Sequence, residues 1–148
     1  MDEAPAAPAS EDLPETLVLF DGVCAVCDGL VQWLLVHDTA GRLHYAPLQG
    51  PTAAAVRARH PEWPAQLDSI VLVRRVEGAE RLSWHTAALI ELAGELPPPW
   101  RAARHLWWVP GPLRDVAYRS FAATRYALFG TLDQCRLPTE VEQARFLP

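Results

Sequence analysis

Leu17-Val18-Leu19-Phe20-Asp21-Gly22-Val23-Cys24-Ala25-Val26-Cys27 is the stretch that decides the fold. Its first four residues form an unbroken apolar run ended by Asp21-Gly22, as expected of a strand buried on both faces of a sheet. Beyond the cysteines, Leu30, Leu34 and His37, with Val31 beside them, recur at helical spacing. Thr39-Ala40-Gly41 closes that helix, with Gly41 as a left-handed cap.

Working outward, Leu43 and Tyr45 alternate with Arg42, His44 and Ala46 as a second, half-buried strand. Residues 52–60 read as a short helix stopped before Pro61, and residues 69–73 as another strong strand. Glu77-Gly78-Ala79 then turns the chain into Arg81-Leu82-Ser83-Trp84, a hairpin. Residues 86–93 are helical and end at Gly94. Strand, helix, strand, helix, hairpin, helix predicts a small α/β sandwich. Past Pro97-Pro98-Pro99, residues 100–108 are helical. A longer helix spans 113–128, with Leu113, Val116, Ser120, Phe121, Thr124 and Leu128 along one side. The aromatic residues of this half are expected to cover the sheet and its arginines to form a solvated edge. The other reading is peripheral contact with a membrane surface or an anionic partner.

The 148 residues are 50% apolar and 21% charged, which suits one globular domain and excludes disorder throughout. Every basic residue is Arg, so Schiff-base chemistry on a lysine and a P-loop lysine are excluded. The net charge of −5 belongs to residues 1–15, which hold Asp2, Glu3, Glu11, Asp12 and Glu15 and no base. The rest of the chain balances its arginines with an equal number of acids. With Pro5, Pro8 and Pro14, residues 1–15 are expected to be a disordered acidic Pro/Ala tail, and folding to begin at Thr16. A single domain over 16–138 would follow, with its helical extension at about 99–130 and a C-terminal tail over 139–148. Neither a signal peptide nor a membrane span of ~20 apolar residues is read. The expected location is the cytoplasm, where paired cysteines are more often catalytic or metal-binding than structural.

Cys24-Ala25-Val26-Cys27 sits between strand and helix, and that placement matters more than its spacing. A cysteine capping the helix faces the orphan N–H groups of the first turn, which together with the helix dipole favour thiolate. Cys27, three residues on, lies over the same face and is placed to resolve a mixed disulfide at Cys24. Redox chemistry leads two alternatives. Both cysteines could be buried small hydrophobes, or half of a zinc site that Cys135 with His44 or His85 would have to complete. Asp21, at the end of the apolar strand, is a candidate proton exchanger for Cys27; the competing reading is that it only hydrogen-bonds the turn before Cys24. Cys135 reads as a packing residue, with a relay thiol as the alternative. A phosphotransferase of the haloacid dehalogenase type is set aside, because Val23 stands where its second Asp would be and no lysine is present.

The pattern D-G-x-C-x-x-C after an apolar strand resembles the DCC family of thiol-disulfide oxidoreductases. Asp38, Tyr45, Leu48-Gln49, the segments 68–73 and 86–89, Trp100, Pro110, Leu113-Arg114-Asp115, Tyr118, Arg125-Tyr126, Phe129-Gly130 and Cys135-Arg136-Leu137-Pro138 continue the likeness, over about residues 16–138. The resemblance implies a thioredoxin-like sandwich with a mixed sheet and additional C-terminal helices. It also implies that Cys24 and Cys27 are the active pair, acting on a protein or small-molecule disulfide or dithiol. The alternative function is a non-catalytic thioredoxin-like binding module with structural or metal-bound cysteines. No cofactor, metal or nucleic-acid partner is expected, and the oligomeric state is not fixed. Two features depart from thioredoxin: Val23 replaces the Trp before the first cysteine, and no proline immediately precedes the 69–73 strand. Asp68 and Ser69 are the candidates to line the site there instead.

Overall fold

All five residues of β1 (Thr16–Phe20) are buried, and the strand lies inside a four-stranded sheet. The computed structural model describes residues 8–64, 67, 69–129 and 139–148. After β1 come α1 (Ala25–His37), β2 (His44–Pro47), α2 (Pro51–Arg59), β3 (Val71–Val76), β4 (Ala79–Trp84) and α3 (His85–Glu95). A 3-10 helix (Trp100–Trp108), α4 (Gly111–Phe129) and a short α5 (Glu140–Gln143) complete the elements of the described residues.

The sheet order is β2-β1-β3-β4, with β2 parallel to β1 and β3 antiparallel to both β1 and β4. Alternate residues of β1 go to opposite faces. Val18 and Phe20 meet Leu72 and Tyr45 under α1 (Val31, Leu34) and α3 (Ala88, Leu92). Leu17 and Leu19 meet Val71 and Val73 under α2 (Ala53, Val56). Each fully buried aliphatic side chain is worth about 1.5–3 kcal/mol, so both layers are needed to hold β1 in place. This is the thioredoxin-like mixed α/β sandwich. In the hairpin, Glu77 (φ 52) and Gly78 (φ 80) both lie in the left-handed region, the geometry of a turn that matches the strand twist.

Several expectations are corrected. Residues 8–15 are not a loose tail: Ser10–Asp12 forms a 3-10 turn, and Leu13 is buried against Leu17 and Trp63. Residues 139–148 are not a tail either. Tyr45 N–H donates to the Arg145 carbonyl and Leu147 N–H to the Tyr45 carbonyl, each at 2.8 Å, so the segment covers the free edge of β2. Phe146 joins one core layer and Leu147 the other. A Cβ at Gly50 would lie 2.9 Å from the Pro148 carbonyl carbon, so only glycine allows this approach. Gly41 has φ +66, but it sits in the turn after α1, whose C-cap is Asp38. The buried stripe of α1 is Cys27, Val31 and Leu34, with Leu30 at its border. α3 runs through Gly94 to Glu95. Against expectation, Trp107, Trp108 and Phe121 do not cover the sheet. α3 occupies that face, and Trp107, Trp108 and Phe121 are exposed, as are Leu113, Val116 and Leu128 on α4.

Among the ionic ties of the described residues, Arg74 pairs with Glu95 at 3.0 Å between β3 and α3, and two others hold the periphery. Asp38, almost wholly enclosed, accepts from Leu43 N–H at 2.8 Å and pairs with Arg145. Replacing Arg145 with Leu leaves that carboxylate buried and uncompensated. The expected loss is about 3 kcal/mol in urea unfolding.

The second tie joins α2 to β4 and the N-terminal turn. His60 Nε2 meets Glu80 at 2.7 Å and its Nδ1 meets Glu62 at 2.7 Å, while Arg59 donates to Glu80 at 2.8 Å and to the Pro8 carbonyl at 3.2 Å. An imidazole facing a carboxylate at each nitrogen is held as the cation. Burial opposes this, but the hydrogen bonds to Glu80 and Glu62 prevail and His60 is raised above its ordinary 6.5. Burial likewise opposes the Glu80 carboxylate, yet Arg59, His60 and Ser10 push it down to about 2. The His60 contribution is full below 6.5 and is lost as pH rises through its raised value; that of Glu80 is full above 4.5 and is lost as pH falls towards 2. Unfolding free energy measured against pH should therefore decline on both sides. His60→Ala should remove the alkaline decline and shrink the acid one, because His60 is one of the groups that lower Glu80.

Candidate active site

Strand register gathers the site at one end of the sheet. Phe20 pairs with Pro47, Leu19 with Val71, and Val71 with Trp84. Asp21, Gln49, Ser69-Ile70 and His85 therefore leave their strands at the same edge, where α1 begins. His85 has φ 55, a left-handed backbone for a non-glycine residue, at the tight junction of β4 and α3. Its ring lies 5.0 Å from that of Tyr118.

Cys24 is the N-cap of α1, in extended conformation at φ −92, ψ 119, and its carbonyl accepts the Asp28 N–H at 3.0 Å. Its side chain makes no capping hydrogen bond. Cys27 stands one turn on, at the head of the buried stripe. Both are present as thiols, with exposures of 1% for Cys24 and 8% for Cys27. Helix positions three apart place their Cβ atoms about 5–6 Å from each other, so a small local adjustment brings them to disulfide distance.

The turn between β1 and Cys24 is tied by side chains. Asp21, 4% exposed, accepts the Val23 N–H at 3.2 Å through Oδ1, and its carbonyl accepts the Cys24 N–H at 3.2 Å. Gln49 completes the tie from the end of β2: Nε2 donates to Asp21 Oδ1 at 2.9 Å, and Oε1 accepts the Gly22 N–H at 3.2 Å. Asp21 thus hydrogen-bonds the turn before Cys24. Sequence reasoning gave Gln49 no role; a polar residue just past the buried end of a strand was the available signal.

Ser69 is buried, and its hydroxyl donates to the Ile70 carbonyl at 3.3 Å. Asp68 and Cys135 lie outside the described residues. His44 pairs with Leu17 at the opposite end of the sheet, which removes it from the zinc alternative. Among the described residues, no group of three or more His, Cys, Asp or Glu is gathered around a metal position.

A buried strand, a helix capped by the first cysteine of C-x-x-C and a mixed four-stranded sheet define a thioredoxin-like protein with a dithiol at its helix N-terminus. A family model of DCC1-like thiol-disulfide oxidoreductases matches residues 18–131, and the chain belongs to that family. It is 34% identical over 139 residues to the uncharacterized protein YuxK of Bacillus subtilis (strain 168), covering 94% of this chain and 98% of that protein. It is 31% identical over 129 residues to a chloroplastic DCC family protein of Arabidopsis thaliana, covering 86% of this chain and 72% of that one. No solved structure matches the chain significantly.

Gln49→Ala removes the donor to a buried carboxylate and the acceptor of a turn N–H. The expected cost is about 1–3 kcal/mol in chemical denaturation, with faster amide exchange at Gly22 and Val23 than at the centre of β1.

Proposed function

We propose that the protein is a thiol-disulfide oxidoreductase in which Cys24 attacks and Cys27 resolves. The observation that carries this reading is the pair of thiols at the N-cap and third position of one helix. The Cys24 thiolate attacks one sulfur of a protein or small-molecule disulfide, forming a mixed disulfide and releasing the other sulfur as a thiolate. Cys27, deprotonated as it reacts, attacks Cys24 Sγ and releases the second substrate sulfur. The substrate gains two electrons and the protein keeps a 24–27 disulfide, which a thiol or dithiol reductant returns to the starting state. Asp21, in the turn leading to Cys24, takes the Cys27 proton. The Asp68-Ser69 segment ahead of β3 lines the approach; Cys135 is a packing residue on this reading, with an accessory thiol as the alternative. The chemistry suits a reducing compartment, the cytoplasm.

Burial of both sulfurs favours a second reading, a binding module whose cysteines only pack. Activity and trapping separate the two. On the first reading, mild oxidation yields an intramolecular 24–27 disulfide, Cys24→Ser reduces insulin no faster than background, and Cys27→Ser accumulates mixed disulfides with substrate. Insulin reduction by Cys24→Ser at the parent rate, or failure of the 24–27 disulfide to form, leaves the binding module. Asp21→Asn retains the turn-bonding oxygen, so it should fold normally and slow only the resolving step; an unchanged rate removes the proton-transfer role.

A further inference from the structure

Leu106-Trp107-Trp108-Val109-Pro110-Gly111-Pro112-Leu113 contains no charged side chain and spans the end of the 3-10 helix, the Val109-Pro110 turn and the start of α4. Its large apolar residues face solvent: Trp108 is 89% exposed, Leu113 62%, Leu106 51% and Trp107 47%. Soluble surfaces seldom gather such residues without a partner. The turn is held in shape. Arg114 Nε donates to the Val109 carbonyl at 3.0 Å, and the Arg114 guanidinium lies 4.6 Å from the centre of the Trp107 ring. The start of α4 is fixed to α3 by the Thr86 hydroxyl, which donates to Asp115 at 3.2 Å. This is an apolar projection on a rigid base.

Charge identifies the partner. Residues 100–128 carry Arg101, Arg104, Arg114, Arg119 and Arg125 against Asp115 alone, a net +4, in a chain whose total is −5. The remainder of the chain therefore carries −9. In a 3-10 helix residues three apart are aligned, so Arg101 and Arg104, both exposed, form a row that runs up to Trp107. A second copy presenting the same turn would set like charge against like. An anionic phospholipid surface supplies both complements at once: phosphates for the arginine row and an apolar layer for Trp108 and Leu113.

We propose that the 106–113 turn is a wedge that docks the protein on an anionic bilayer surface. Docking needs no span, and no helix among the described residues is long and apolar enough to cross a membrane. Thr86, the residue after His85, joins the base of the wedge to the start of α3, at the end of the sheet where α1 also begins. The proposal does not depend on the redox reading, because vesicle binding is measured without any disulfide.

The test is co-sedimentation of the full chain with phosphatidylcholine vesicles, with and without phosphatidylglycerol. The expected result is binding only when phosphatidylglycerol is present, weakening as salt is raised. Arg104→Gln should weaken binding about fivefold, and Trp108→Glu should abolish it while circular dichroism stays unchanged. The proposal is overturned if the parent ignores phosphatidylglycerol vesicles, or if Trp108→Glu binds them as the parent does. It is equally overturned if sedimentation velocity shows self-association that Trp108→Glu removes, which makes a second copy the occupant. Retention on polyglutamate without vesicle binding assigns the surface to an acidic protein and also overturns it.

Discussion

A strand buried on both faces ends where water cannot reach its last peptide groups, and the way β1 ends shapes the rest of the site. The N–H groups of Gly22, Val23 and Cys24 follow directly on a strand with no exposed residue, and each finds an acceptor within the protein. Gln49 Oε1, Asp21 Oδ1 and the Asp21 carbonyl supply them in that order. Once all three are satisfied the chain has one course, and it delivers Cys24 to the N-cap of α1. The position of the first cysteine thus follows from hydrogen-bond demand in the turn before it.

The same constraint explains why the C-terminal segment is integral. β1 is shielded by β2 on one side, yet β2 is itself an edge strand whose outward N–H and C=O groups need cover. Arg145, Phe146 and Leu147 provide it, and the Arg145 side chain reaches on to the buried Asp38 at the end of α1. One short segment therefore closes the sheet edge, adds an apolar residue to each core layer and neutralises a helix-terminal carboxylate. Gly50 is the residue that lets it approach.

What the sequence made legible is what local pattern encodes. The unbroken run of β1, the hairpin at Glu77-Gly78 and the cysteine at a strand-to-helix junction each leave a signature within a few residues, and each lies where expected. The C-terminal closure does not, because it rests on a pair separated by 107 positions; the Gln49 tie spans 28. Such partners are chosen by the fold, and neither residue looks unusual alone. Periodicity failed differently on α4. It grouped Leu113, Val116, Phe121 and Leu128 on one side, but spacing tells which residues share a face and not whether anything covers that face. Arg114, Asp115 and Tyr118, which carried only a family likeness in the sequence, are residues that anchor the base of α4 to Val109, Thr86 and His85.

Burial of the dithiol sets opposing demands on one small turn. Thiol-disulfide exchange needs a sulfur that a second sulfur can approach in line, and at 1% exposure Cys24 offers no such approach while the turn is closed. Val23, at 38%, is the exposed residue beside it. On the redox reading a local opening must precede attack, and the turn beside Cys24 is held by the bonds that Asp21 and Gln49 make. A weaker tie would open the site more often but leave buried N–H groups without acceptors; a stronger one would stabilise the closed turn at the expense of reaction. Opening of this kind is drawn from the least stable part of a fold. Here the candidate is confined to three residues, because β1 on one side and α1 on the other are anchored in the core.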